Sequence, residues 1–215
     1  VCSVLVSTAA VKLKPLQERN KALSTKKNIL IAAGLMNEGV DIETEFNKIK
    51  VRIVDLATGE LDDSTESGKY NQREAAKIPE QSTLIPEDKD LGKINRRANK
   101  ASVYYVMDGS KIETLILPIH GKGLWSTMYA FLALENDGNT IKGYTFYDHG
   151  ETPGLGGEID NPIWQQQWVG KKIYDVDWKL AVEILKGKVN KNKPEAVYQS
   201  DGLSGATLTK VGVQN

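Results

Sequence analysis

The chain has 215 residues, of which 40% are hydrophobic and 26% are charged, as in a typical globular domain with a sizeable core. Lys plus Arg and Asp plus Glu number 28 each, so the net charge is zero. The sequence therefore lacks the excess of basic residues that would indicate a nucleic-acid partner. The single cysteine, Cys2, excludes an internal disulfide, a zinc knuckle and an iron–sulfur cluster held by one chain.

Residues 1–11 are apolar or small, and Lys12 ends the run. The run is shorter than the roughly 20 apolar residues that cross a bilayer. It is compatible with a buried strand, with part of a signal peptide, or with the C-terminal part of a transmembrane helix. We favour the helix, because small residues such as Ser7 and Ala9 are common where membrane helices pack.

The next segment predicts helices and one strand. Residues 14–35 carry apolar side chains at helical spacing, which predicts one or two helices ending at Gly34 or near Gly39. Residues 41–49 predict a short helix that Asp41 begins. The alternation of residues 51–56 predicts a strand.

Residues 61–97 are charged and poor in bulky apolar side chains, which predicts a long surface excursion with a short helix near residues 72–77. Two hairpins are expected beyond it. Their turns are Asp108-Gly109 and residues 136–139, and the flanking segments are rich in β-branched and aromatic residues.

Asn161-Pro162 predicts a helix start, because Asn is a good N-cap and Pro is favoured at the first helical position. We expect this helix to run through Trp168 and to stop at Gly170. Residues 177–189 are compatible with either a strand or a helix. The predicted fold class is α+β, a mostly antiparallel sheet with flanking helices.

Three glycine-containing segments stand out, and the first is Gly121–Ser126. Its glycines let the backbone approach a flat or charged group, and Trp125 offers an aromatic face. The alternative is a tight connection between strands with Trp125 buried in the core.

The second segment, His149–Glu158, contains four glycines and a proline. Such a stiff turn with exposed amides can hold an anion or lie against an aromatic ring, or it is purely structural. His149 and Glu151 are residue types that bind metals, but the only other histidine is His120, so no metal site is predicted.

The third segment, Ser200–Thr209, contains four consecutive small residues at 204–207. They leave the backbone bare, so a phosphate can approach the amides while Thr207 presents its hydroxyl to the phosphorus. The alternative is an ordinary turn at Asp201-Gly202 followed by a strand or a helix.

Other catalytic patterns are missing from the sequence. It has no dinucleotide-binding Gly-x-Gly-x-x-Gly, no Walker phosphate loop, and no nucleophile elbow around Ser204. Direct binding of NADH and a catalytic residue are therefore not predicted.

Taken together, Gly121–Ser126, His149–Glu158 and Asp201–Thr207 closely resemble one covalent FMN-binding family, the C subunit of the sodium-translocating NADH:quinone oxidoreductase. The resemblance covers essentially the whole chain, including the apolar N-terminus. Each motif alone is weakly specific, whereas all three in this order are strongly specific.

The resemblance implies a covalent FMN, joined by a phosphoester bond to Thr207. A separate flavin transferase makes this bond from FAD with Mg²⁺, and Asp201 and Gly202 match the part of the motif that it recognises. We expect Trp125 and Leu155 to lie near the isoalloxazine. The full set of expected cofactor-binding residues is Thr207, Ser204, Gly205 and Ala206 at the phosphate and Glu151, Thr152, Gly154, Leu155, Gly156, Leu124, Trp125 and Ser126 in the two loops.

The resemblance also implies a location and a role. Residues 1–11 are expected to be the C-terminal part of a single transmembrane helix, and residues 12–215 an FMN-binding domain on the periplasmic face of the bacterial inner membrane. The FMN would relay single electrons from a membrane-embedded iron centre to the FMN of the neighbouring B subunit. NADH is oxidised elsewhere in that complex, which agrees with the missing dinucleotide motif.

Three rival functions stay open. The first is the corresponding FMN subunit of a ferredoxin:NAD⁺ oxidoreductase complex, which shares Glu151–Gly156, although Gly121–Ser126 and Gly157-Glu158 favour the sodium pump. The second is a membrane-anchored binding or assembly module without redox chemistry. The third is a hydrolase that uses Ser204.

Overall fold

The structure, a computed structural model, describes residues 2–214. The helices are α1 (Cys2–Ala32), α2 (Ile42–Phe46), α3 (Gln72–Ala75), α4 (Pro162–Gln166) and α5 (Thr207–Gln214). The strands are β1 (Ile49–Asp55), β2 (Ser82–Leu84), β3 (Arg96–Ala98), β4 (Lys100–Asp108), β5 (Lys111–Lys122), β6 (Thr127–Glu135), β7 (Ile141–Asp148), β8 (Glu183–Ile184) and β9 (Gln199–Ser200). Short 3₁₀ turns cover Pro79–Gln81, Gly156–Asp160 and Pro194–Tyr198.

A five-stranded sheet in the order β1-β4-β5-β6-β7 forms the centre of the fold, and every neighbouring pair is antiparallel. Strands β4 to β7 follow one another along the chain, so each pairs with the next. Both predicted hairpins are confirmed, at Asp108-Gly109 between β4 and β5 and at residues 136–139 between β6 and β7. The predicted antiparallel α+β architecture is therefore confirmed.

One face of the sheet packs against the C-terminal half of α1. Side chains of β6 alternate between the two faces, which is the period-2 pattern of a strand buried on both sides. The cluster on the α1 side comprises Ile29, Leu30, Ala32, Ala33, Ile49, Ile116, Phe131 and Ala133.

The opposite face packs against α4 and the C-terminal segment. Trp164 and Trp168 meet edge to face, with their ring centroids 5.6 Å apart, and both are buried. The cluster on this side comprises Met128, Ala130, Leu134, Ile141, Phe146, Ile159, Trp164, Trp168 and Ile184. Both faces of the sheet thus carry packed elements, and the connections at its end are exposed.

Helix α1 covers in one piece two segments that the sequence analysis treats separately, the apolar run up to Val11 and the helical pattern of residues 14–35. Helix α1 is continuous through Pro15, and it ends before Gly34, as one of the two predictions had it. The Lys, Leu, Gln and Glu residues around Pro15 are strong helix formers, which offsets the hydrogen bond that proline cannot donate. Within residues 2–214, no helix is both long enough and apolar enough for a bilayer crossing.

Three other elements differ from their predicted bounds. The helix begun by Asp41 ends at Phe46, because residues from Ile49 onward pair with β4. The helix that Asn161 begins stops at Gln166 and not at Trp168. The long excursion contains, besides α3, the small ribbon β2–β3, and residues 177–189 are mostly irregular, with only the two residues of β8 in a strand.

Candidate functional site

The chain turns sharply just before α5, at residues 203–207, here called the C-terminal turn. Gly205 has a φ of 66°, in the left-handed region that favours glycine. Thr207 is the first residue of α5, and it is exposed, while Ala206 beside it is buried. The first amides of a helix have no partner inside it, so the N–H groups at this end of α5 are oriented toward the turn.

The Trp125 loop, residues 121–126, connects β5 to β6. Trp125 is 68% exposed and Leu124 is 47% exposed, so the alternative of a buried tryptophan is wrong. The loop is closed by a hydrogen bond from the Gly123 amide to the Ser126 carbonyl, at 2.8 Å. The connection thus presents two apolar side chains to solvent from a fixed backbone.

The Leu155 loop, residues 149–158, follows β7. Leu155 is 45% exposed, and Thr152 and Gly154 are exposed as well. The Thr152 carbonyl accepts the amides of Leu155 at 3.1 Å and Gly157 at 2.9 Å, which makes the turn stiff. The side chain of Leu155 lies against the C-terminal turn at Gly205.

Glu151 joins the three segments, although the sequence predicted it as a flavin contact. It is only 5% exposed. Its carboxylate accepts the amide N–H groups of Trp125, at 3.0 Å, and Leu124, at 3.2 Å, and the hydroxyl of Thr209 on α5. All three bonds are to groups of the protein itself.

The charge of Glu151 is stabilised in place. Burial acts to raise the pKa of the carboxyl, but the hydrogen bonds from Thr209 and from the amides of Trp125 and Leu124 outweigh it. The net pKa therefore lies below the usual glutamate value. The carboxylate is ionised at neutral pH, close to the N-terminus of α5, where a helix favours negative charge.

His149 has a structural role in the Leu155 loop. Its Nε2 lies 2.7 Å from Asp160 Oδ2, and its Nδ1 accepts the Glu151 amide at 3.1 Å. This pattern fixes the tautomer that carries the proton on Nε2. Both ring nitrogens are engaged, so His149 is not available as the base that a Ser204 hydrolase needs.

His120, the other histidine, stacks on Tyr129 with ring centroids 5.6 Å apart. Burial, together with the nearby Arg73, lowers its pKa. In the part of the chain that the structure describes, no three His, Cys, Asp or Glu residues are grouped so that they could hold a metal ion.

Asp201 and Gly202 lead into the C-terminal turn and are half-buried. Asp201 Oδ1 accepts the Val189 amide at 2.7 Å, and the Asp201 carbonyl accepts the indole N–H of Trp164 at 3.0 Å. The Gly202 amide donates to Gly187 at 2.8 Å. These bonds tie the segment before the turn to α4 and to the irregular segment after β8.

An apolar cavity of about 370 Å³ lies on the α4 side of the sheet. Leu117, Leu132, Tyr144 and the far end of α5 at Val213 line it, and Thr207, Trp125 and Leu155 do not. The cavity is therefore separate from the place where the three loops present their exposed side chains.

Most of the predicted site residues come together. The structure brings the C-terminal turn, the Trp125 loop and the Leu155 loop to one end of the sheet. Two contributors were missed by sequence reasoning: Thr209, which bonds Glu151, and Trp164, which bonds Asp201. Thr209 stands two residues after Thr207 in a short run of small and hydroxyl residues, which was the only available signal.

Comparison with known proteins identifies a matching domain family and close relatives of the chain. Residues 123–215 match the FMN-binding domain family. The chain is 47% identical to the C subunit of the Na(+)-translocating NADH-quinone reductase of Pseudomonas aeruginosa, over 100% of this chain and 84% of the relative. It is 48% identical to the protein of the same name from Vibrio campbellii, over 100% of this chain and 83% of the relative.

Two solved structures superpose on this chain over most of its length. A crystal structure of Shewanella oneidensis NqrC superposes with a TM-score of 0.81 at 38% identity, covering 91% of this chain and 89% of that one. The structure of the C subunit of the Na(+)-translocating NADH-quinone reductase from Parabacteroides distasonis superposes with a TM-score of 0.70 at 26% identity, covering 94% and 89%. The chain therefore belongs to the NqrC family, the C subunit of the Na(+)-translocating NADH-quinone reductase, with an FMN-binding domain in its C-terminal half.

Proposed function

We propose that the chain holds FMN covalently through a phosphoester at the Thr207 hydroxyl and serves as an electron carrier in the membrane complex. The observation that carries this proposal is the placement of Thr207. Its side chain is exposed at the first position of α5, inside the region that matches the FMN-binding domain family.

The C-terminal turn fits a phosphate. The free amides at the start of α5 and the positive end of the helix dipole favour an anionic group on the Thr207 oxygen. Ser204 and Gly205 are exposed beside it, and the Thr152 hydroxyl is exposed in the Leu155 loop. A phosphodiester keeps one negative charge, and the amides of residues 204–207 would hold it.

The two neighbouring loops fit a flat aromatic ring. Leu124, Trp125 and Leu155 are large apolar side chains that their loops hold in solvent, which costs free energy unless something covers them. We place the isoalloxazine against Trp125 and Leu155, with Ser126 and Gly154 lining the approach. Gly156, which was expected to contact the cofactor, is buried against Glu151. The buried carboxylate of Glu151 joins the two loops by accepting the amide N–H groups of Leu124 and Trp125.

When bound, FMN supplies one-electron transfer. The protein residues bind and orient it and exclude water, and no side chain has to act as an acid or a base. The proposed partners come from the family resemblance: a membrane iron centre would donate electrons to the bound FMN, and the FMN of the neighbouring B subunit would accept them. A flavin transferase would attach the FMN and would read Asp201 and Gly202, which the contacts to Trp164 and Gly187 hold in place.

We further propose that residues 1–11 are the end of a transmembrane helix and that residues 12–215 form the periplasmic domain of a bacterial inner-membrane protein. The proposal rests on the family resemblance and on the apolar composition of residues 1–11. The likeness to the sodium-pump relatives over 100% of this chain favours that complex over the ferredoxin:NAD⁺ oxidoreductase alternative.

A pair of threonine variants tests the attachment. The full chain is co-expressed with its flavin transferase and denatured, and flavin fluorescence is read in the gel. We expect fluorescence from the unchanged chain and from Thr8→Ala, an exposed threonine of α1, and none from Thr207→Ala. Colourless unchanged chain, or a fluorescent Thr207→Ala band, would contradict the proposal.

A further inference from the structure

The carboxylate of Glu151 contacts the Trp125 loop, the Leu155 loop and α5 together. Glu151 belongs to the Leu155 loop, and it accepts two amides from the Trp125 loop and the Thr209 hydroxyl from α5. Thr209 is 58 residues away along the chain and only 1% exposed. Three segments that the fold brings separately to one end of the sheet are thus joined by one buried anion.

The space around this carboxylate is filled by the protein. A Cβ placed on Gly123 would lie 2.5 Å from Glu151 Oε1, and one on Gly156 would lie 2.8 Å from Glu151 Oε2. Such distances are far inside van der Waals contact. The two glycines therefore let the loops close around the carboxylate, and no room remains for a ligand to reach its oxygens.

The bond to Thr209 fixes the direction in which Thr207 points. The two residues lie in the first turn of α5, so rotation of the helix about its axis would move both hydroxyls. A second contact holds the other end of α5, where Gly212 packs against the carbonyl of Lys122 on β5. Because the two contacts lie on different turns of α5, together they fix the rotation of the helix about its axis.

We infer that Glu151 and Thr209 form a clamp that positions the Thr207 hydroxyl opposite the exposed side chains of Trp125 and Leu155. The two are positioning residues, because their polar groups are bonded to each other and to loop amides. This inference rests on the proposed attachment of FMN at Thr207. It predicts that breaking the clamp changes how the loops and the flavin are held while the sheet stays folded.

The first test needs no flavin. Thr209→Val keeps the shape of the side chain and removes its hydroxyl, and Thr209→Ser restores the hydroxyl. The control is Thr145→Val, a buried threonine of β7 outside the three loops. Amide hydrogen exchange is measured on the full chain. We expect faster exchange at Leu124 and Trp125 in Thr209→Val and Glu151→Gln, and protection close to the unchanged chain in Thr209→Ser and Thr145→Val.

The second test uses the same variants co-expressed with the flavin transferase. Intact mass reports attachment, and fluorescence anisotropy and visible circular dichroism report how firmly the flavin is held. In Thr209→Val we expect either loss of attachment with the sheet intact, or an attached flavin with lower anisotropy and a weakened dichroic band. Thr209→Ser should regain the values of the unchanged chain.

The outcomes separate the clamp from the attachment itself. If Thr209→Val matches the unchanged chain in exchange, anisotropy and dichroism, the clamp is overturned while the attachment at Thr207 stands. The clamp is also overturned if Thr145→Val shows equal losses, because the effect is then general destabilisation. If the unchanged chain carries no FMN on Thr207, the proposed function fails, and the clamp as a flavin-positioning device fails with it.

Discussion

The side chain of Leu155 lies directly against Gly205, and a Cβ built on Gly205 would stand 2.8 Å from Leu155 Cδ2. Gly205 also has a φ of 66°, which side-chain-bearing residues rarely adopt. The contact joins the Leu155 loop to the turn that presents Thr207. Gly205, which lies in the region that matches the FMN-binding domain family, is thus restricted both by its backbone conformation and by its contact with Leu155.

Gly205→Ala is predicted to cost stability and also to disturb the site. The left-handed conformation costs about 1–2 kcal/mol for alanine, and the new methyl group would push Leu155 away. The matched control is Gly138→Ala in the β6–β7 turn, where φ is 67° but nothing lies within 4 Å of a Cβ. Urea unfolding should show similar losses for both variants.

The two glycine variants should differ in flavin attachment. Intact mass after co-expression with the transferase should show reduced FMN incorporation for Gly205→Ala only. Equal incorporation in both would mean that the contact between Leu155 and Gly205 has no role in presenting Thr207.

The same substitution, tryptophan to phenylalanine, is expected to have different effects on stability at Trp164 and at Trp168. Both indoles are buried, but Trp164 Nε1 donates to the Asp201 carbonyl at 3.0 Å. Trp168 Nε1 has no hydrogen-bond partner among the residues that the structure describes. Trp164→Phe removes a hydrogen bond, whereas Trp168→Phe removes a buried donor that already lacks one, so the first should be about 1 kcal/mol more destabilising.

Chemical denaturation of the two tryptophan variants measures this difference directly. Because the loss of ring volume is the same in both, the hydrogen bond is the main remaining difference. A larger loss for Trp168→Phe would mean that the packing of Trp168 outweighs the bond to Asp201, and that Trp164 does not anchor the segment before the C-terminal turn.

The lowered pKa of Glu151 leads to a prediction of how the free energy of unfolding depends on pH. Its pKa in the folded chain is lower than the value of about 4.3 in an unfolded chain, so between the two values the unfolded chain binds more protons. The stability that Glu151 contributes is therefore fully present above about pH 4.3 and is lost as the pH falls through the lower folded value. Urea unfolding across this range should show a smaller loss in Glu151→Gln than in the unchanged chain.

The same measurement has a clear contrary outcome. If Glu151→Gln and the unchanged chain lose stability in parallel below about pH 4.3, the carboxylate is not stabilised in its ionised form by Thr209 and the loop amides. The description of Glu151 as a buried anion that joins three segments would then be wrong.

Local sequence signals predicted the parts of the fold that local chemistry decides. The Asp108-Gly109 turn and the Asn161-Pro162 helix start were both correct, because turn and cap residues act on their immediate neighbours. The end of α1 at Gly34 belongs to the same class. The continuity of α1 was not predicted, because the apolar run up to Val11 and the helical pattern from residue 14 were considered separately, whereas α1 runs through Pro15.

Contacts between segments that are distant along the chain were not predicted from the sequence. The bond between Glu151 and Thr209 joins residues 58 positions apart, and no spacing rule links a loop carboxylate to a helix hydroxyl. Glu151 was accordingly expected to touch the flavin, whereas its carboxylate bonds the protein. The exposure of Trp125 was similarly undecided, because a loop between two strands can bury or present an aromatic ring with equal ease.

The position of the phosphoester decides whether the exposed hydroxyl of Thr207 is the attachment point of the FMN. The full chain, co-expressed with its flavin transferase, is weighed intact, digested, and fragmented to locate the modified residue. We expect one FMN per chain, attached at Thr207. An unmodified mass, or an FMN attached to Ser204 or Thr209 instead, would contradict it.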